Sequence, residues 1–278
     1  MLKYVRLILV TLFVLALGGS VAVFVYDYTH EDNSPPAFQC NMELIEVSVT
    51  DPEEALLQGL HAYDNVDGDI SDRIQVKEIS TLINDKDVTV SYIVFDDASN
   101  YAVYSRTARY TDYAPPRFHL SKPMIFNVGE TISFRDSVAV KDLREGDISG
   151  RVKLEESTVL NSTPGTYSVR LSATNRMGDT IYLPLTVQVI DSSISRPTIR
   201  LRDYLIYLKA GDRLNPRRYI QSVKDPMAED QEAVIPPSAV SVNPNGLDLF
   251  TPGIYEVYYY YTGISQEVAT VILTVIVT

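Results

Sequence analysis

The chain repeats itself at a nearly constant interval, and that period limits its fold more than any single motif does. Pro-hydrophobic starts occur at Pro35-Pro36-Ala37-Phe38, Pro115-Pro116-Arg117-Phe118 and Pro197-Thr198-Ile199, so successive copies begin 80 and then 81 residues apart. Each start follows a polar stretch, namely Asp32-Asn33-Ser34, Thr111-Asp112-Tyr113 and Asp191-Ser192-Ser193. A repeat of about 80 residues lies in the usual lower range for an autonomous domain.

The interior landmarks keep the same order. The first copy carries Asp64-Asn65-Val66-Asp67-Gly68-Asp69-Ile70-Ser71, and the second carries Asp142-Leu143-Arg144-Glu145-Gly146-Asp147-Ile148-Ser149 at an offset of 78. The third keeps only Val223-Lys224-Asp225 and Glu229-Asp230. Thr163-Pro164-Gly165-Thr166-Tyr167 in the second copy recurs as Thr251-Pro252-Gly253-Ile254-Tyr255 in the third.

Strict alternation follows these turns. Tyr167, Val169, Leu171 and Ala173 fall on one side of a strand, as do Val88, Val90, Tyr92 and Val94, and Tyr255, Val257, Tyr259 and Tyr261. Such period-two patterning marks half-buried strands. Closing strands are expected at Tyr101 to Tyr110, Thr180 to Ile190 and Val268 to Val277. A helical period is expected only in the N-terminal apolar run and in a turn near Pro52 to Gly59. Short strands with Pro and Gly punctuation and Tyr, Val and Thr enrichment predict an all-β chain of tandem antiparallel sandwiches.

These motifs together resemble the bacterial Ig-like domain, which occurs in tandem on Gram-positive surface proteins and in pesticidal crystal proteins. The resemblance covers about 155 residues in the first two copies and is carried in the third mainly by Thr251-Pro252-Gly253-Ile254-Tyr255. It implies Ig-like sandwiches and an extracellular setting, and implies no catalytic activity.

Ahead of the repeats, Lys3 and Arg6 precede Leu7 to Tyr26, twenty residues without a charge, and Asp27, Glu31 and Asp32 follow. Twenty residues at 1.5 Å each match a hydrocarbon core of about 30 Å. Basic residues before the span and acidic ones after it place the N-terminus in the cytoplasm and the repeats outside. A cleaved signal peptide is the competing reading, because Ser20-Val21-Ala22 fits a signal peptidase, but Val23-Phe24-Val25 continue the apolar run past that point. The expected organisation is an anchor or signal peptide at 1–26, a stalk at 27–35, and Ig-like modules at 36–114, 115–195 and 196–278, the last divergent. With no sorting motif before Thr278, anchorage is expected to rest on the N-terminal helix.

Charge and cysteine content narrow the chemistry. The formal charge of -12 argues against nucleic acid, whose binding draws on clustered Lys and Arg. One cysteine, Cys40, excludes an internal disulfide, a Cys-rich zinc site and an iron–sulfur cluster. His30, His61 and His119 accompany no nucleophile motif, so the chain is expected not to be an enzyme.

Two candidate sites remain. Asp64, Asp67 and Asp69, with their counterparts Asp142, Glu145 and Asp147, are candidate calcium ligands, since carboxylates in one loop supply the oxygens that calcium takes. Asp112 in the first linker is a further candidate ligand. Turn chemistry is the competing account: Gly68 and Gly146 at positive φ, aspartates capping the turn, and Ile70 and Ile148 in the core. Tyr258 and Tyr260, expected to face outward beside Glu256, are candidates for a glycan or protein partner, because exposed tyrosines offer apolar area with a polar tip. Packing on the sheet or against a neighbouring module is the alternative. No cofactor other than calcium is expected. The sequence therefore predicts an anchored surface protein for display, spacing or adhesion at the bacterial envelope, with a carbohydrate-binding surface protein as the alternative.

Overall fold

The alternating segments are strands in the computed structural model, which describes residues 2–30, 32–228 and 235–278. Glu229-Asp230 and the side chain of His30 lie outside the described residues. The chain divides into two compact units, Met1–Thr111 and Asp112–Thr278.

The first unit opens with helix α1 (Leu2–His30), so the helix runs into the expected stalk. Within it, Lys3–Tyr26 contains an 18-residue stretch of mean hydropathy 2.6, none of which is buried. The strands that follow are β1 (Ala37–Cys40), β2 (Leu44–Val47), β3 (Leu60–Asp64), β4 (Gly68–Asp69), β5 (Gln75–Ile79), β6 (Asp87–Phe95) and β7 (Tyr101–Tyr110). They form two sheets, ordered β1-β3-β4 and β2-β7-β6-β5, with β2 parallel to β7. Val88, Val90, Tyr92 and Val94 are fully buried between them.

The second unit contains β8 (Arg117–Leu120), β9 (Ile125–Asn127), β10 (Val138–Asp142), β11 (Gly146–Asp147), β12 (Lys153–Ser157), β13 (Gly165–Thr174) and β14 (Thr180–Ile190). Their sheets, β11-β10-β8 and β12-β13-β14-β9, repeat the topology of the first unit strand for strand. Even the register irregularity is copied: Val76/Glu78 on β5 recurs as Leu154/Glu156 on β12.

The third repeat supplies β15 (Thr198–Leu201), β16 (Leu205–Leu208), β17 (Ile220–Lys224), β18 (Ser241–Asn243), β19 (Gly253–Thr262) and β20 (Val268–Val277). Its sheets are β15-β17 and β16-β20-β19-β18, again with one parallel pair, β16 with β20. The chain is thus all-β after one apolar helix, and the divergent third repeat keeps the strand order. The three closing strands have the bounds expected from alternation.

The Thr-Pro-Gly-x-Tyr turn has a local physical basis. Tyr167 Oη donates to the Thr163 carbonyl at 2.8 Å, and Tyr255 Oη donates to that of Thr251 at 3.0 Å. Each ring then crosses its glycine so closely that a Cβ on Gly165 would sit 3.3 Å from Tyr167, and one on Gly253 3.1 Å from Tyr255.

The second and third repeats share one body. Leu205 on β16 belongs to the core built by Phe118, Val140, Leu171 and Leu183, and Tyr207 and Ile276 pack on its edge. Tyr207 Oη accepts the Phe118 N–H at 2.9 Å while the Arg117 guanidinium stands 4.8 Å over its ring. On the same side, Glu256 accepts the Thr186 N–H at 2.9 Å and its hydroxyl at 2.7 Å.

One cross-strand ion pair in the first unit predicts an acid limb of stability. Asp87 faces Arg109 across β6 and β7, and two bonds of 2.7 and 2.9 Å join them. Arg109 first, and Asn84 second, hold the Asp87 carboxyl at a pKa of about 2. An unfolded aspartate titrates near 3.9. The depressed pKa means that this contribution is fully present above about pH 4 and is lost as pH falls through about 2. Urea unfolding of wild type and Asp87→Asn should differ by a constant amount above pH 4, and the two should converge towards pH 2.

Candidate functional site

The acidic loops form because a short turn must satisfy its own amides. Asp64 Oδ1 accepts the N–H groups of Val66 and Asp67 at 2.8 and 3.0 Å, and Asp142 Oδ1 accepts those of Arg144 and Glu145 at 2.9 Å each. Such aspartate-to-backbone bonds are the ordinary device for closing a turn. Gly68 and Gly146 have φ of 76° and 74°, and Ile70 and Ile148 are buried in the two cores.

The remaining candidates each hold protein donors. Asp69 takes the amide and hydroxyl of Ser71, and Asp147 takes those of Ser149. These serine bonds, hydroxyl before amide, hold both carboxyls below the ordinary carboxylate range. Asp67 Oδ2 accepts the Asp97 N–H at 2.7 Å and pairs with Arg73 at 3.1 Å. Glu145, its counterpart, accepts the Arg176 N–H at 2.6 Å and pairs with Arg151. The turn account therefore explains why these residue types recur.

Asp64 differs from the rest. Amide donors from Asp67 and then Val66 hold its carboxyl below the ordinary range, yet Asp64 Oδ2 is buried with no hydrogen-bond partner. The structure brings Asp64 together with Asp32 and Asp96, one oxygen from each lying within 4.8 Å of the others. Asp96 is the residue after β6, and Asp32 belongs to the polar stretch before β1. The available signal was the repeat itself, since Asp32 and Asp112 are 80 residues apart.

Tyr258 and Tyr260 lie side by side on β19, ring centroids 6.2 Å apart and planes 12° from parallel. Both are half-buried, and Tyr258 Oη donates to Glu256 at 2.8 Å. Since Glu256 also holds Thr186, this face of β19 meets the second repeat, so the pair is only partly open to solvent. His61 and His119 are exposed on β3 and β8. A cleft of about 1260 Å³ in the second unit is lined mostly by uncharged residues, with Lys122, Arg200 and Arg202 beside Asp191 and the Arg196–Glu267 ion pair of 3.0 Å.

Cys40 Sγ donates to the Met42 carbonyl at 2.9 Å, and the Arg106 guanidinium stands 3.7 Å from it. Burial opposes the thiolate, but the Tyr104 hydroxyl, the Met42 backbone and Arg106 outweigh it, so the thiol titrates below its ordinary value.

No family model matches the chain. The pesticidal crystal protein Cry22Aa of Bacillus thuringiensis is 24% identical over 236 residues, 82% of this chain. The chain spans 31% of the length of that relative. Among solved structures, Drosophila N-cadherin EC1-4 is 13% identical over 89% of this chain and 76% of its own, with a TM-score of 0.23. The M60 catalytic domain with CBM51-1 and CBM51-2 from Clostridium perfringens ZmpB is 11% identical over 87% of this chain and 31% of its own, with a TM-score of 0.25. Scores this low transfer no role.

Proposed function

We propose that this chain is a membrane-anchored, non-catalytic surface protein that presents bacterial Ig-like sandwiches outside the cell for display, spacing or adhesion. The observation that carries this reading is the helix Lys3–Tyr26, uncharged from Leu7 onward and with none of its apolar stretch buried, directly ahead of acidic, turn-stabilised β-sandwich repeats. At 1.5 Å per residue its 24 residues extend about 36 Å, enough to cross a hydrocarbon core with some tilt. Burying such a helix in lipid removes a large apolar surface from water. Lys3 and Arg6 on its N-terminal flank favour a cytoplasmic N-terminus, which puts Asp32 and everything after it outside. The sandwich repeats then present a binding face outside the cell, with a protein or glycan as its partner. The half-exposed edges of Tyr258 and Tyr260 offer one aromatic surface for that contact.

The full chain produced in a bacterial host should stay in the membrane pellet through alkaline carbonate extraction. Protease added to intact spheroplasts should remove the β repeats. Release by carbonate, or repeats that resist protease until the membrane is opened, would refute the anchored, outward-facing arrangement.

A further inference from the structure

The three repeats solve one local problem in three ways, and the first solution lacks a component. Each repeat buries an aspartate at the end of its β3-type strand: Asp64, Asp142 and Asp225, all less than 9% exposed. In the second and third repeats the oxygen not used by the turn meets the start of the loop between the last two strands, and in the first the Asp64 carboxylate lies beside Asp96, the first residue of that loop. That loop is closed identically, by Asp96 N–H to the Asn100 carbonyl, Asn175 N–H to that of Asp179, and Gly263 N–H to that of Glu267.

In the second repeat the loop residue is an amide. Asn175 Nδ2 donates to Asp142 Oδ2 at 3.0 Å. The third repeat uses a glycine instead. A Cβ on Gly263 would sit 2.7 Å from Asp225 Oδ2, and the space it vacates lets that oxygen accept the Ile264 N–H at 2.8 Å. Both buried carboxylates are thereby matched to donors.

In the first repeat the same position is Asp96, itself only 6% exposed, and it has no proton donor to offer a carboxylate. Its two oxygens are already held by the Asn100 N–H at 2.7 Å and by Asn100 Nδ2 at 2.9 Å. That same Nδ2 also donates to the Asp32 main-chain carbonyl at 2.9 Å, which brings a third carboxylate to the place. A buried carboxylate oxygen without a donor costs free energy, and adjacent carboxylates of like charge add to it. An all-oxygen, all-anionic cluster is the donor set of a hard divalent cation, and three carboxylates with completing waters or carbonyls fit calcium.

We propose that Asp32, Asp64 and Asp96 bind one hard divalent cation, calcium by preference, in the first repeat alone. The ion takes the place that the amide of Asn175 and the N–H of Ile264 occupy in the other two repeats. Since Asp32 precedes β1 while Asp64 and Asp96 end β3 and follow β6, the ion ties the segment leading from the apolar helix to the loop end of the first sandwich.

The test uses the full chain in detergent, stripped with chelator, then titrated with calcium chloride or magnesium chloride alone. Calorimetry should show one calcium per chain, and the first-unit melting temperature should rise by about 5 °C at saturation. Asp96→Asn copies the second repeat: it should melt above the stripped wild type and lose the calcium response. Asp32→Asn leaves both buried loops intact and should weaken binding at least tenfold. Wild type that gives no heat and no melting shift with either ion would overturn the proposal. So would an Asp96→Asn chain that binds calcium as wild type does. A first unit indifferent to cations but losing stability as pH rises from 5 to 8 would assign a shared proton to the gap and overturn it equally.

Discussion

Replacing Arg106 by alanine should destabilise the first sandwich by about 3 kcal/mol, because a buried guanidinium there supplies donors that nothing else replaces. Arg106 is 5% exposed, and its Nη2 donates to the Leu56 carbonyl at 2.8 Å, its Nη1 to that of Met42 at 3.1 Å and its Nε to Tyr92 Oη at 3.1 Å. Tyr92 Oη in turn donates to the Leu56 carbonyl at 2.6 Å. One side chain on β7 thus closes the loop after β1 and the short helical turn Glu53–Leu57 onto the sheet. Its loss leaves the Leu56 carbonyl with the Tyr92 hydroxyl alone and the Met42 carbonyl with the Cys40 thiol alone, and it opens a cavity, so the first-unit melting temperature should fall by roughly 10 to 20 °C. Arg106→Lys should recover only part of this, since an ammonium cannot span three acceptors in a fixed fork. A second readout is chemical: with the guanidinium gone, the Cys40 thiol titrates higher and its alkylation at pH 7 slows. A melt unchanged in Arg106→Ala would show that the fork contributes no net stability.

The second large effect concerns cooperativity. Residues 112–278 should unfold in a single step although they contain two repeats, because Leu205 sits in the core of its neighbour and Glu256 holds Thr186. Hydrogen exchange should give the amides of β13–β14 and β19–β20 one common opening free energy. Tyr207→Ala combined with Glu256→Ala removes a half-buried ring worth about 1 to 3 kcal/mol of packing and a carboxylate that satisfies two donors. The doubly substituted chain should therefore open in two steps, with the third repeat exchanging first. Two steps already present in wild type would mean that the shared contacts do not couple the repeats.

Much of this architecture was legible in the residues. Alternation located β6, β13 and β19 and set the ends of β7, β14 and β20, because a half-buried strand must place apolar side chains at every second position. The Asp-Gly-Asp-Ile-Ser and Thr-Pro-Gly-x-Tyr turns were legible because their bonds close within a few residues, as in Tyr255 to Thr251. Tyr258 and Glu256 were harder. Alternation put them on the outer face, and they are there, but it carries no information about what covers that face. Thr186, 70 residues away, covers part of it.

The acidic cluster divides in the same manner. Asp64 was a candidate from its loop, and its turn-closing role followed from its immediate neighbours. Its unmatched oxygen and its companions Asp32 and Asp96 did not, since they come from segments 32 residues to either side of it. Local spacing was enough for strand, turn and repeat, because those depend on backbone bonds and side-chain periods confined to a few residues. The joining of the second and third repeats, the cover over Tyr258 and the convergence of three carboxylates depend on contacts between distant segments, which exist only once the sheets have closed on one another.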